Sequence, residues 1–196
     1  MITFDNIIQA KDTTIKLLTD GILDKREWRI PVAGSLMGGV SQVNGQRLEA
    51  TIDGEVDIDV ENYFSTSQES PWNIIIDLGD EYELSRVVTH QRWSGFDGVY
   101  GAVDHQGNLY RGGNVLSYNL YGWDRADQTW KLFSRRVITP PIVTTEDEYT
   151  MLGKRGDMAY IYPEEPQFSK PTRWFRFEAV TGKYISEITL YGRKAY

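Results

Sequence analysis

The most constraining feature of this sequence is a series of short segments in which apolar and polar residues alternate. Leu116, Tyr118 and Leu120, for example, alternate with Ser117 and Asn119, as in a strand with one buried face. Eight segments show this alternation or a β-branched run bounded by turn residues: 27–33, 50–52, 72–78, 84–91, 115–121, 129–134, 173–180 and 185–191. With no convincing long helix, they predict an all-β protein built as a two-sheet sandwich.

The composition narrows the class of protein further. Aromatic residues make up 13% of the 196 residues, which suits pleated sheets covered by flat rings. A net charge of −7 argues against a nucleic-acid partner, because phosphate groups require a basic surface. The absence of cysteine excludes disulfides and thiol catalysis. We expect one domain at 25–196, preceded at 1–24 by an extension or the tail of another domain.

A long segment at 93–113 interrupts the pattern of strands. It contains six glycines and four aromatic residues, which are Trp93, Phe96, Tyr100 and Tyr110. Loops of this length inside a compact domain usually have a function. The rings either form a binding surface or fold back as a small core beneath the loop, and the sequence leaves both interpretations open.

Several motifs, taken in order along the chain, resemble a known family. They are Ile52-Asp53-Gly54, the run from Trp72 to Gly79, Leu84-Ser-Arg-Val-Val88, the run from Asn114 to Trp123, Thr129-Trp-Lys-Leu-Phe133, Arg173-Trp-Phe-Arg-Phe177 and the run from Ile185 to Gly192. This succession resembles the coagulation factor five/eight type C (discoidin) domain, and especially bacterial family-32 carbohydrate-binding modules. The resemblance covers roughly 25–196 and implies an eight-stranded, galactose-binding-like jelly roll with long loops at one end.

The resemblance also implies a ligand site at the loop end of the sandwich. Arg92 and Asn114 match the residues that grip sugar hydroxyls in galactose-binding relatives, with Trp93 or another aromatic residue of the loop as the stacking platform. The chain departs from those relatives at Phe64-Ser65, where they often carry a Trp-His pair, so galactose itself is in doubt. The remaining candidate ligand-binding residues are Phe96, Tyr100, Tyr110, Arg111, His90 and Tyr184. For His90, the alternative is an ordinary packed residue at the end of a strand.

The acidic stretch at 49–61 suggests a calcium ion, because it is dense in hard oxygen ligands. In the family, the Asp of the Asp-Gly turn and a Glu of the closing strand bind a structural calcium together with backbone carbonyls. Those positions match Asp53 and Glu187, with Asp57 and Asp59 as additional candidates. The alternative interpretation is an exposed strand whose acidic side chains are simply solvated.

These observations favour a non-catalytic module that binds a glycan or polysaccharide. By the resemblance, it belongs to a surface or secreted protein of a bacterium, as part of a larger multidomain chain. An alternative is a protein- or membrane-adhesion domain that uses Phe96, Val99 and Tyr100, although the charge of −7 disfavours anionic lipid. A glycoside hydrolase is a third hypothesis, but the sequence contains no coherent catalytic set of residues.

Overall fold

The computed structural model describes residues 20–31, 43–57, 61–93, 107, 113–164 and 167–196. These residues form mostly strands, with one 3-10 helix at Leu48–Ile52 and one α-helix, α1, at Glu146–Arg155. The strands are β1 (Gly21–Ile22), β2 (Gly45–Gln46), β3 (Phe64–Thr66), β4 (Trp72–His90), β5 (Ser117–Asp124), β6 (Thr129–Val137), β7 (Asp157–Tyr160), β8 (Thr172–Ala179), β9 (Tyr184–Ile185) and β10 (Glu187–Lys194).

The strands form two antiparallel sheets. The main sheet has the order β1-β10-β4-β8-β5-β6, with β7 pairing alongside β4, and the smaller sheet has the order β2-β3-β9. The predicted all-β jelly-roll sandwich is confirmed, although the number of strands differs from the eight expected.

Strand β4 joins two of the predicted strands into one. Gly79 has a φ of +82°, and the register shifts between Asp77 and Tyr82. The first part of β4 pairs with β8, whereas the part after Tyr82 pairs with β10 and β7. The expected turn at Gly79-Asp80 is therefore an irregularity within a continuous strand, because the backbone bends there without leaving the sheet.

The core is formed by the inward faces of these strands. Tyr118 and Leu120 are fully buried, as their alternation predicts, and the Tyr118 ring lies 4.8 Å from that of Phe177 on β8. From the smaller sheet, Phe64 packs edge-on against Trp72 of β4, with ring centroids 5.3 Å apart. These contacts join the two sheets across one hydrophobic core.

Two of the predicted strands take other forms. Residues 50–52 lie in the 3-10 helix, and the described part of the other segment, 27–31, contributes an isolated bridge between Arg29 and Asp77. The sequence analysis also missed α1. Its first turn is capped by Thr145, whose side chain accepts a hydrogen bond from the Glu148 N–H (3.2 Å), a standard helix start.

The start of the described chain belongs to the same sheet. Strand β1 pairs with β10, and Leu23 N–H donates to the Leu190 carbonyl (2.9 Å). Residues 20–24, predicted to be part of an extension, are thus built onto the domain, while 1–19 lie outside the described residues.

Candidate functional site

The end of β4, the start of β9 and the segments around them bring several predicted site residues together. Arg92 follows β4, Tyr184 begins β9, and Asn114 forms a parallel bridge with Tyr184. Tyr63, which immediately precedes β3, completes the group. We call Tyr63, Arg92, Asn114 and Tyr184 the Arg92 cluster.

Asn114 holds the backbone of Arg92. Its Oδ1 accepts a hydrogen bond from Arg92 N–H (3.0 Å), and its Nδ2 donates to the Arg92 carbonyl (3.3 Å). The side-chain amide of Asn114 thereby bonds both backbone groups of Arg92, as the backbone of a neighbouring β-strand would. Since Asn114 is 6% exposed, it acts here mainly by positioning Arg92.

The Arg92 guanidinium lies against two tyrosine rings. Its central carbon is 4.8 Å from the centroid of Tyr184 and 5.0 Å from that of Tyr63. The two rings meet edge to face, 5.8 Å apart at an interplanar angle of 88°. Arg92 and both rings are half-buried, so the group presents a planar cation and aromatic surface together.

Each tyrosine has its own support. The Tyr63 hydroxyl donates to Glu61 Oε1 (3.0 Å). Burial raises the pKa of Tyr63, the bond to Glu61 acts in the same direction, and the positive charge of Arg92 opposes them. The Tyr184 ring lies over Gly113, where a Cβ atom would come within 2.3 Å of Tyr184 Cε2. Only glycine at position 113 leaves the ring in this place.

Trp93 is not placed as a stacking platform. It is 2% exposed, and its ring centroid lies 4.2 Å from that of Tyr149 of α1. The Tyr149 hydroxyl donates to the Trp93 carbonyl, and a Cβ atom on Gly153 would approach Trp93 Cε2 to 2.3 Å. Stacking on a sugar requires an exposed ring face, so the structure makes Trp93 the anchor of α1 instead.

His90 also packs against α1. Its Nε2 lies 3.1 Å from the Lys154 carbonyl at the end of that helix, and its ring borders Gly156. Burial lowers the pKa of His90, while its bond to the Lys154 carbonyl acts in the opposite direction. These contacts account for His90 as a packed residue, which was the alternative interpretation.

The carboxylates predicted to bind calcium accept hydrogen bonds from the chain itself. Asp57 is 2% exposed, and its oxygens accept from Trp93 N–H (2.6 Å) and Asn62 N–H (3.0 Å). Asp53 accepts from Glu55 N–H (2.9 Å) and, at both oxygens, from Asn62 Nδ2 (3.1 and 3.0 Å). Both carboxylates therefore organise the loop.

Glu187 faces a lysine. It is 1% exposed and forms an ion pair with Lys25, and its Oε1 also accepts from Gly54 N–H (3.2 Å). Burial lowers the pKa of Lys25 to about 7, an effect that the negative charge of Asp53 opposes. Among the described residues, no three acidic or histidine side chains converge as a metal site. The groups that contact these carboxylates are N–H donors and the Lys25 ammonium, and the predicted calcium ion stays a prediction.

The other predicted site residues lie outside the described residues: Phe96, Tyr100, Tyr110, Arg111 and Asp59. Most of the 93–113 segment is among them, so both interpretations of its aromatic residues remain predictions.

Sequence reasoning missed Tyr63 and Lys25. Tyr63 precedes the buried Phe64, and strand alternation turns it away from the core. This alternation with Phe64 could have identified Tyr63 as a residue that faces away from the core. Lys25 had no local signal, because its contact with Glu187 depends on the pairing of β1 with β10.

Solved structures share this fold. A SusE-like protein is 17% identical with a TM-score of 0.62, covering 90% of this chain and 68% of its own. A family-32 carbohydrate-binding module of C. perfringens NanJ, solved with galactose, is 14% identical with a TM-score of 0.54, covering 88% and 98%. A factor five/eight type C domain from Bacteroides fragilis is 16% identical with a TM-score of 0.52, covering 90% and 98%.

These similarities confirm the discoidin-like, family-32-like fold that the motifs predicted. A comparison with curated proteins gives no match. A family model described as a domain of unknown function, DUF5000, matches residues 52–192, which span β3 to β10 and the whole Arg92 cluster. The chain belongs to the DUF5000 family.

Proposed function

We propose that this domain is a non-catalytic carbohydrate-binding module that binds glycans at the Arg92 cluster. The observation that carries the proposal is the Arg92 guanidinium, held between Tyr63 and Tyr184 with its backbone fixed by Asn114. A planar guanidinium donates paired hydrogen bonds to neighbouring hydroxyls. An aromatic face covers the apolar C–H patch of a pyranose. The cluster combines both functions in one pre-arranged group.

The comparisons support the class of ligand. One solved structure of this fold is a carbohydrate-binding module that holds galactose. Its identity of 14% is too low to transfer individual contacts, so the sugar bound here is open. A half-open site of this kind suits millimolar to micromolar affinity, or about −4 to −8 kcal/mol.

We further propose that the domain serves a secreted or surface protein of a bacterium, as one part of a larger chain. The matched structures come from bacteria such as C. perfringens and Bacteroides fragilis. No helix among the described residues is long and apolar enough to cross a membrane. The residues suggested for membrane adhesion lie outside the described chain, so vesicle binding is an outcome to test.

A glycan microarray with matched arginine variants tests the proposal. Arg92→Ala removes the guanidinium group that is proposed to donate hydrogen bonds to the glycan. Arg176→Ala is the control, since Arg176 also lies on two rings, 4.0 Å from Tyr121 and 5.0 Å from Trp130, but on the main sheet away from the cluster. We expect the wild-type protein and Arg176→Ala to bind the same glycan, and Arg92→Ala to lose at least tenfold in affinity, about 1.4 kcal/mol.

Two outcomes would overturn the proposal. One is equal loss of binding in both variants, which would place the site elsewhere. The other is silence of the wild-type protein across the array, with binding to phospholipid vesicles instead. Circular dichroism of each variant verifies that the fold is retained.

A further inference from the structure

The amino group of Lys25 is fixed in a buried position beside Glu187. Pairing of β1 with β10 brings the segment there, and a turn closed by Trp28 N–H and the Lys25 carbonyl (2.9 Å) orients it. The Lys25 amino group forms an ion pair with Glu187 and donates to Thr189 Oγ1 (3.0 Å). The side chains of Lys25 and Glu187 are only 13% and 2% exposed, so this contact is internal.

A cation is needed at this position. A buried carboxylate without a partner is strongly destabilising, because burial removes its hydration. Glu187 is buried at the first residue of β10, and the negative charge of Asp53 also acts on Lys25. The lysine supplies the positive charge that balances this acidic corner of the sandwich.

The corner offers little to a divalent ion. Calcium takes roughly six to eight oxygen ligands. Within the described residues, both oxygens of Asp53 and of Asp57 accept hydrogen bonds, and Glu187 Oε1 faces the Gly54 N–H and Lys25. Of the three carboxylates described, only Glu187 Oε2 is buried without a hydrogen-bond partner. An amide proton and an ammonium group face Glu187 Oε1, where a calcium ion would need oxygen ligands instead.

We propose that Lys25 is an internal cation that replaces the structural calcium implied by the family resemblance. The corner formed by Asp53, Gly54 and Glu187 then folds without metal. Removing Lys25 leaves the buried negative charge of Glu187 without its partner.

The first measurement is thermal unfolding of the wild-type protein, at a pH of about 6.5, in EDTA and in excess calcium chloride. A calcium ion present at a hundredfold its dissociation constant would raise Tm by about 5–10 °C. We expect the two Tm values to be the same. A higher Tm in calcium chloride than in EDTA, if the Glu187→Gln variant does not show it, would overturn the proposal.

The second measurement compares two lysine variants. Lys25→Met keeps the length of the side chain without its charge, and we expect Tm to fall by about 6–20 °C. Lys194→Met is the control, because Lys194 pairs with Asp80 at an exposed site and its loss should matter little. Equal Tm values for the two variants would contradict an essential internal cation.

A double variant covers the case in which Lys25→Met does not fold. Lys25→Met combined with Glu187→Gln removes both charges, so we expect it to fold and to be more stable than Lys25→Met alone. If the double variant is no more stable, the ion pair is not the reason for the loss, and the proposal fails.

Discussion

Two cationic side chains near the same end of the main sheet are used in opposite ways. Arg92 is half-buried, and its guanidinium lies against the rings of Tyr63 and Tyr184. The Lys25 side chain is 13% exposed, and its ammonium lies against Glu187, whose side chain is 2% exposed. One cation thus faces aromatic surface and the other faces carboxylate.

The difference shows that the groups around a charged side chain decide whether it is suited to bind a ligand or to stabilise the fold. Aromatic rings attract a cation without neutralising it, so Arg92 keeps its positive charge beside Tyr63 and Tyr184. A buried carboxylate neutralises its partner, so Lys25 stabilises the fold and has little left for a ligand. We therefore expect changes around Lys25 to act on stability and changes around Arg92 to act on binding.

The largest expected effect concerns Trp93, which directly follows Arg92 in the sequence but belongs to the hydrophobic core. Trp93→Ala should lower the free energy of unfolding by about 3–5 kcal/mol, because it removes a buried ring from the contact with Tyr149. Urea unfolding measures this, with the half-buried Trp130→Ala as the control. A Trp93→Ala protein that is stable yet fails to bind glycan would restore its role as a stacking platform.

A smaller effect is expected from Gly113→Ala, which alters the Arg92 cluster without removing a side chain. The φ of +92° makes alanine cost about 1–2 kcal/mol, and its Cβ would displace the Tyr184 ring. Glycan affinity should fall about two- to tenfold. Gly54→Ala is the matched control, because its φ is +89° but nothing lies within 4 Å of the added Cβ.

The two glycine variants should thus lose similar stability and differ in binding. Equal affinity of the two proteins for the glycan, measured by titration calorimetry, would mean that the Tyr184 ring is not part of the site.

The smallest effect is expected from Tyr63→Phe, which removes the bond to Glu61 and keeps the ring beside Arg92. The stability change should be below about 1 kcal/mol and glycan affinity should not change. Tyr63→Ala, which removes the ring, should weaken binding. If Tyr63→Phe weakens binding as much as Tyr63→Ala does, the hydroxyl itself contacts the glycan.

Much of the fold could be predicted because strand alternation is local. The alternation of Leu116, Tyr118 and Leu120 identified a strand whose buried face the structure confirms. The same reasoning predicted two strands where the structure has the single strand β4, because the Gly79-Asp80 pair resembles a turn. Only the pairing of β4 with its neighbouring strands shows that it continues through this pair. The helix α1 could have been found from Thr145 and Glu148 at its start.

The candidate site was less predictable because it depends on distant contacts. The family resemblance suggested Arg92 and Asn114, and the position of Tyr184 just before the last strand suggested that residue. The structure brings these three together. The resemblance could not show that Trp93 would be buried by α1, a helix absent from the predicted elements. Nor could it reveal Lys25, whose partner Thr189 is 164 positions away in the chain.

The most direct test of this division of roles is a glycan titration of the wild-type protein in EDTA and then in excess calcium chloride, using the best glycan from the array. We predict the same dissociation constant in both media, with binding lost in Arg92→Ala and kept in Arg176→Ala. Binding that appears only with calcium, or that survives in Arg92→Ala, would contradict the account.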